Sequence, residues 1–568
     1  MHRILTSLFL AAALALQVLP AFAVELGDIR ALYKDNFNDE APGLAVVVVK
    51  DNETIFSEGF GGANLEYGIP ISESTVFHVA SLSKQFTAFA ILKLEQDGLL
   101  SVDDDVRTYL PEVPDFGHTI TLRHLLTHSS GLREQWRLLE MAGWRLDDVI
   151  TNDHVLTLVQ DQKSLNFVPG TKFMYCNTGF TLLAEIVERV TDQSFAEYAN
   201  TQIFEPLEME SSLFFDDHET IVTNRAYSYQ RMDGVVRKSR LNFATVGPTS
   251  LFTTVSDMSK WAINFSTLTI GNKEIFEKMS RMGERPDGSP VSYAMGQFVD
   301  QYKGRQMIYH SGSDAGYRAF FARLPEERLS VAVFANASNI DARSETFKAI
   351  DLYLEDGATT ASSPEPETAK DFEYDPETFI SVLPEQLKPF EARYWNPEEN
   401  SFTEIKVREN ELIFTPPSGS EVTLIPVGAG QFKLPGTPYD VSVNFKTDEE
   451  RGEIMEVYVP DLMWLWLQKV QDSETNGLDA SNNPYLGTYI SDELGASYEL
   501  TFDGESYALI HYRLGIIPLT RIDDNLFTST NRNFRQVTFM KDENLNVTAF
   551  SVRNDGINSL EFRRVLKQ

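Results

Sequence analysis

Apolar and polar positions change their period several times along the chain. Leu44 to Lys50 is a nearly unbroken apolar run with Val46-Val47-Val48-Val49 at its centre. Asp51-Asn52 interrupts it, and Thr54 to Phe60 returns as a second extended segment, so the pair reads as a β-hairpin. Asp28 to Asn38, just before it, has the spacing of a short amphipathic helix. From Ser81 the period becomes helical. The helix runs through Phe86, Phe89, Ile91, Leu92 and Leu94, and Gly98 supplies a stop.

Between about Arg133 and Gly271 the pattern is mostly helical with long loops. Phe173-Met174-Tyr175-Cys176-Asn177-Thr178-Gly179 opens a helix carried by Leu182, Leu183, Ile186, Val187 and Val190. Gly247 to Thr254 reads as a small-residue loop ahead of a helix that Ser256-Asp257 would cap. Extended character resumes at Tyr293–Asp300, Gln306–Ser311, Tyr317–Leu324 and Leu329–Ala335. Early strands, a helical middle and late strands predict one antiparallel sheet completed by both ends of a domain, flanked by helices and carrying a helical insertion. The fold class is therefore α/β over residues 24–354. Gly357 to Pro366 has linker composition, which places a linker at 355–371. Beyond it only short alternating segments recur, broken by a polar stretch at 471–483. Residues 372–470 and 484–568 are each expected to be a small antiparallel β-barrel, and Tyr394-Trp395 and Tyr485 to Tyr489 begin them so similarly that duplication is suggested.

Composition narrows the function. The 568 residues carry a net charge of −34, which repels nucleic-acid phosphate and anionic lipid, so no nucleic-acid partner is expected. Ile4 to Pro20 is apolar, and Ala21-Phe22-Ala23 is a small-x-small pattern followed by Val24-Glu25. Residues 1–23 read as a secretory signal, with no membrane span after its removal and a periplasmic or secreted destination. Cys176 is the one cysteine, so internal disulfides and cysteine-based zinc sites are ruled out. It reads as a small buried residue.

Candidate chemistry starts at Ser81-Leu82-Ser83-Lys84. If a helix begins at Ser81, the i, i+3 spacing sets Ser81 and Lys84 side by side at its N-terminus. A hydroxyl beside an amine, where free backbone N–H groups favour negative charge, is suited to nucleophilic attack. Other polar clusters read as structural. Asp103-Asp104-Asp105 lacks the glycine turn and distal glutamate of a calcium loop and reads as capping. His124 and His128 stand at i, i+4, but Leu125 occupies the place of a metalloprotease glutamate. No metal and no cofactor is expected. Serine flanked by glycine at both −2 and +2 does not occur, which removes the α/β-hydrolase elbow.

Ser81-Leu82-Ser83-Lys84, Tyr175-Cys176-Asn177 and His310-Ser311-Gly312, in that order, resemble the serine penicillin-recognising family. That family includes class C β-lactamases, D,D-peptidases, D-aminopeptidases and related esterases. Leu125 to Leu132, Phe204 to Met209 and His310 to Tyr317 extend the resemblance, which covers roughly Leu26 to Leu354. It implies a β-lactamase/transpeptidase-like fold, and the two barrels resemble those of the D-aminopeptidase type. It also implies Ser81 as nucleophile, Lys84 and Tyr175 sharing proton transfer, and Asn177, His310, Gly312 and Ser313 binding substrate, with Ser81 and Ser313 N–H groups at the oxyanion. Which of Lys84 and Tyr175 is the base stays open.

Many β-lactamases and D,D-peptidases carry lysine where this chain has His310, and a histidine is largely neutral at pH 7. The departure favours D-aminopeptidase-like or esterase-like chemistry, although Arg318 nearby would restore a cation. The reading is a secreted serine hydrolase that cleaves a small amide or ester, a D-amino-acid peptide or a carboxylic ester, through an acyl-enzyme on Ser81. The alternatives are β-lactamase or D,D-peptidase activity, and a penicillin-binding sensor that acylates without turnover. The partner is a small molecule or short peptide. The barrels are expected to line or cap the site or to mediate a homodimer.

Overall fold

The computed structural model describes residues 26–565 apart from 285–287, 355–373, 376–378, 381, 438, 449–450, 460–462 and 471–482. The expected signal at 1–23, the linker at 355–371 and all but Asn483 of the linker at 471–483 lie outside the described residues.

Helix α1 (Leu26–Tyr33) precedes strands β1 (Leu44–Lys50) and β2 (Glu53–Phe60). Helices α2 (Ser83–Gln96), α3 (Gln135–Met141), α4 (Asn177–Thr191) and α5 (Val255–Thr267) follow. Strands β3 (Phe298–Tyr302), β4 (Arg305–Asp314), β5 (Tyr317–Leu324) and β6 (Leu329–Ala335) and helix α6 (Ala342–Asp351) close the domain. The six strands form one antiparallel sheet in the order β3-β4-β5-β6-β1-β2, so the two ends of the domain meet at the β6–β1 pair.

The unbroken valine run has a direct cause. Leu44, Val46 and Val48 pack under α1 and α6, while Ala45, Val47 and Val49 face the larger core of α2, α5 and the helical region. A strand covered on both faces loses its polar alternation. Each valine so buried contributes about 1.5–3 kcal/mol. The strand expected from Tyr293 begins instead at Phe298, and Tyr293 makes only an isolated bridge to Phe298.

The helical region also contains β structure that its sequence pattern did not predict. Leu251–Thr253, expected as loop, pairs with both Phe77–His78 and Leu213–Phe214. Tyr229–Met232 and Val235–Lys238 form a hairpin. The carboxylates of Asp103, Asp104 and Asp105 are engaged by Arg123, by Tyr109 Oη (2.6 Å) and by the N–H of Arg107 (2.9 Å), respectively. His124 completes the capping box of the short helix Leu122–Leu126. Among the described residues no helix is long and apolar enough to cross a membrane.

Both C-terminal units are closed barrels of eight strands each. The first runs from Ala392–Asn396 to Met463–Lys469, the second from Gly487–Ser491 to Ile557–Arg564, and in each the last strand pairs with the first. They share a detail: Tyr394 Oη and Tyr489 Oη each donate to the carbonyl four residues earlier, at Phe390 (3.1 Å) and Tyr485 (2.6 Å). The second barrel, not the sequence-adjacent first, docks on the catalytic domain. Tyr498 Oη donates to Met141 O (2.7 Å), and the Arg133 guanidinium is buried against Glu493. The first barrel packs on the second through Trp395, Val470 and Ile522.

Arg133 also donates to Ser164 Oγ and Ser559 O, and Glu493 also accepts from Lys163 N–H (3.1 Å). Replacing one partner strands a buried charge. Glu493→Ala is expected to destabilise this interface by about 3–5 kcal/mol. Hydrogen exchange checks it, with faster exchange confined to the segments around Arg133 and Glu493 and the first barrel unchanged.

Candidate active site

The turn that carries Ser81 is assembled from both sides. Phe77–His78 is held in the small sheet by Leu251–Thr253, and Val79 N–H donates to Leu251 O (3.0 Å). The chain then bends through Ala80 at φ 49°, a left-handed value that costs a non-glycine residue energy, into a 3₁₀ turn at Ala80–Leu82 and on into α2. Buried Ser83 pins this bend: its Oγ donates to Ala80 O (2.6 Å) and accepts from Leu251 N–H (3.1 Å). On the other flank, β3 stops pairing with β4 at Tyr309, so β4 continues beside Val79–Ala80 as an edge. Gly312 permits this approach, because a Cβ there would collide with Val79 O.

Lys84 is fully buried, and its Nζ lies 3.1 Å from Ser81 Oγ, 2.8 Å from Asn177 Oδ1 and 2.8 Å from Pro248 O. Burial brings its pKa down to about 7, against the upward pull of the Asp314 and Glu134 carboxylates. Asn177 Oδ1 and Pro248 O can only accept, so a neutral Lys84 gives its two protons to them and turns its lone pair toward the Ser81 hydroxyl. Tyr175 stands over the same amine, with Nζ 4.9 Å from its ring centroid. Burial raises the phenol far above its ordinary pKa, with a hydrogen bond to Ser81 acting the other way. The arrangement pairs a lysine poised to lose a proton near neutrality with a tyrosine that keeps its own.

Glu134 is the residue that sequence reasoning missed. It caps α3 through Trp136 and Arg137 N–H groups and accepts Asn177 Nδ2 at 2.8 Å, which fixes the Asn177 amide with its oxygen toward Lys84. Burial raises its carboxyl pKa. Glutamate is an uncommon N-cap, so no local signal marked it. A second carboxylate, Asp314 at the end of β4, accepts from Thr249 Oγ1, and burial pushes its pKa up to about 6.

Ser81, Tyr175, Asn177 and Ser313 line a cleft of about 1130 Å³ together with Glu134 and Asp314. Gly312 backs it as the close-approach residue. His310, expected to bind substrate, is not among the residues that line it. It is 2% exposed and sits behind Tyr175. Its Nδ1 is 2.6 Å from Ser311 O and its Nε2 3.2 Å from Tyr293 Oη, so the neutral ring donates to one and accepts from the other. Burial, with Lys84 close by, presses its pKa to about 3. Arg318 Nη1 donates to the Ala315 and Tyr317 carbonyls, and its charge acts on the Asp314 carboxyl, whose pKa it lowers against the effect of burial. His128, on the far side of Tyr175 (ring centroids 4.2 Å), accepts Cys176 N–H. Cys176 is buried, which drives its thiol pKa up to about 12. Among the described residues no cluster of His, Cys, Asp and Glu has the arrangement of a metal site.

The second barrel completes the rim. Gly556 O accepts Glu134 N–H (3.1 Å), Asp555 pairs with Arg137 through two bonds (2.8 and 3.0 Å), and Arg532 pairs with Glu140. Inner acids Glu134 and Asp314 thus face an outer margin that carries Arg145, Lys238, Arg240 and Arg532.

An antiparallel sheet between helices, with a serine, a buried lysine and a tyrosine converging on one cleft, defines the class of active-site-serine hydrolases. Residues 29–355 match the family model "Beta-lactamase", more than half of the chain, and the chain belongs to that family. It is 29% identical over 295 residues to a D-aminopeptidase of Gluconobacter oxydans (strain 621H), covering 52% of this chain and 56% of that protein. It is 26% identical over 300 residues to a D-aminopeptidase of Brucella ovis, covering 53% and 57%. The chain spans about half the length of the curated relatives it matches. Among solved structures, the octameric penicillin-binding protein homologue from Pyrococcus abyssi superposes with a TM-score of 0.53 at 25% identity, over 78% of this chain and 98% of that one. The D-amino acid amidase from Ochrobactrum anthropi SV3 superposes with a TM-score of 0.50 at 20% identity, over 57% and 97%, and shares the fold.

A Cβ on Gly556 would stand 2.5 Å from Glu134 Cβ. Gly556→Val is therefore expected to push Glu134 and, through it, Asn177 and Lys84 out of place. A displacement near 1 Å costs on the order of 10²-fold in turnover. Steady-state kinetics on a p-nitrophenyl ester, with circular dichroism to show an intact fold, measure it.

Proposed function

We propose that the protein is an exported serine hydrolase that opens small amides or esters through an acyl-enzyme on Ser81, with D-configured aminoacyl compounds as the favoured class. The observation that carries this reading is the buried Lys84 amine held against Ser81 Oγ with a pKa near 7. Neutral Lys84 takes the Ser81 proton as Oγ attacks the carbonyl. Backbone N–H groups of Ser81 and Ser313 receive the oxyanion. Tyr175, still protonated, gives its proton to the leaving nitrogen or oxygen and is reprotonated from the Lys84 ammonium. Water then attacks the ester, loses its proton to Lys84, and Ser81 leaves with that proton.

Charge supports the substrate class. The inner wall offers the carboxylates of Glu134 and Asp314, and His310 is neutral and turned away, so a substrate ammonium fits there better than a carboxylate. This places β-lactam or carboxypeptidase chemistry second. Relatives that are D-aminopeptidases support the same choice. The apolar run Ile4 to Pro20 with Ala21-Phe22-Ala23 supports export.

Intact mass after exposure to a fluorophosphonate and to a penicillin, in wild type and Ser81→Ala, tests the nucleophile. Turnover of p-nitrophenyl esters, D- and L-alanyl anilides and a chromogenic cephalosporin tests the class. A Ser81-dependent adduct with D-anilide or ester turnover is expected. A stable adduct without turnover would make the protein a sensor, and dominant cephalosporin turnover would make it a β-lactamase. Sedimentation of the same samples reads the expected homodimer.

The pH profile follows from Lys84. The active form is the neutral amine, so the acylation rate is expected to rise with pH through an apparent pKa near 7. Asp314 holds that pKa up, so Asp314→Asn should move the rising limb to lower pH. Lys84→Met should remove the limb and about 10²–10⁴-fold of rate. An unshifted limb in Asp314→Asn would show that another group titrates.

A further inference from the structure

Among the described residues the first barrel contributes no lining to the cleft, yet it shows an aromatic face to solvent that its own core does not use. In strand Gly452–Val459, Met455, Val457 and Val459 fill the barrel, so Glu456 and Tyr458 point outward. In strand Met463–Lys469, Leu465 and Leu467 turn inward and Trp464 and Trp466 outward. Tyr458 is 42% and Trp464 59% exposed. The register sets Tyr458 beside Trp464, and Glu456 beside Trp466. It then extends both rows across two more strands. One row runs Lys433, Ser442, Tyr458, Trp464, and the other Gln431, Asn444, Glu456, Trp466.

We propose that this outward face is a binding site for a neutral glycan chain. Among the described residues, the charged side chains on and around it are paired. Lys446 holds Glu456 (2.6 Å), Lys433 holds Asp440 and Ser442 Oγ (2.5 and 3.0 Å), and Arg451 lies over the Trp466 ring (4.6 Å) while bonded to Asp448 (3.2 Å). A surface that cancels its own charge has no call on an anionic lipid or a nucleic acid, and a chain of net charge −34 repels both. The same net charge on a second copy opposes self-association through this small patch. What the face presents is aromatic ring planes next to hydroxyl and amide groups. Those match the two faces of a pyranose: C–H groups to stack on Tyr458, Trp464 and Trp466, and hydroxyls to bond Ser442, Asn444 and Gln431. Strands about 4.8 Å apart and outward residues about 6.7 Å apart give ring-sized steps, roughly 14 Å across the four strands. An apolar patch of this kind on a soluble surface marks a binding site more often than chance exposure.

Titration calorimetry of the full chain with cellopentaose, chitopentaose, maltopentaose and xylopentaose tests the site. At least one is expected to bind with a millimolar or lower Kd, about tenfold or more weakened in Trp464→Ala and in Tyr458→Ala/Trp464→Ala, and partly kept in Trp464→Tyr. Ester turnover should be unchanged in these variants, and Ser81→Ala should bind the glycan as wild type does. Absence of binding by the wild type to every member of the panel would overturn the proposal, as would binding that survives in the double variant. A double variant that turns a dimer into a monomer in sedimentation, or that loses adsorption to phosphatidylglycerol vesicles, would overturn it too and assign the face to a second copy or a membrane.

Discussion

Everything around the cleft serves to keep one amine out of water. Lys84 Nζ has no exposed surface, and its neighbours are three oxygens and two aromatic rings. An isolated ammonium in such a place would cost several kcal/mol, and a protein avoids that cost by letting the group go neutral. The pKa near 7 is the outcome of that pressure, moderated by Glu134 and Asp314. Removing the carboxylates shifts the lysine further toward its neutral form, and removing the burial shifts it back toward the charged one. Only the combination leaves an amine that can both take and return a proton at neutral pH.

Such burial demands close backbone packing, and the chain meets it with small residues and with left-handed turns at Ala80, His128, Ser250 and Ala315. Gly312 lets β4 lie on Val79, and Gly296 lets its loop lie on Lys84 O, where a Cβ would come within 2.7 Å. Thr87 ties α2 to Gly247 O (2.7 Å), beside the Pro248 carbonyl that Lys84 uses. The left-handed Ala80 is one of these costs, and Ser83 with Leu251 holds it in place. The Leu251–Thr253 strand thus holds the Ser81 turn in place while its Leu251 and Phe252 side chains fill the core.

Much of this was legible from residue order, and the exceptions share a cause. Ser81 and Lys84 are one helical turn apart, so local geometry alone places them together. Tyr175 and His310 were found by their company in a family pattern, which tells identity but not orientation: His310 proved to be a buried partner of Tyr293. Both barrels were readable because alternation is a local property of strands. Glu134 was not, because its role depends on contacts with Asn177 and with Gly556 from a different domain. Nor could the order of docking be read, since nothing in a linker says which barrel will sit on the catalytic domain. The interface is spelled by isolated residues such as Arg133 and Glu493, each unremarkable in its own neighbourhood.

That docking order has a consequence for how alike units diverge. Both barrels close with eight strands and anchor a first-strand tyrosine to the carbonyl four residues back. The second has turned a face to the catalytic domain, and its core is continuous with that domain's core through Tyr498. Its substitutions are therefore constrained by the cleft: Gly556 admits no side chain, and Asp555 and Arg532 answer Arg137 and Glu140. Among the described residues, the first barrel keeps a core of its own and meets the second through Trp395, Val470 and Ile522. Its outward strands are released from packing, and exposed strand positions usually carry polar or charged side chains. Tyr458, Trp464 and Trp466 are the opposite choice, on a surface where hydration alone would have favoured lysine or glutamate.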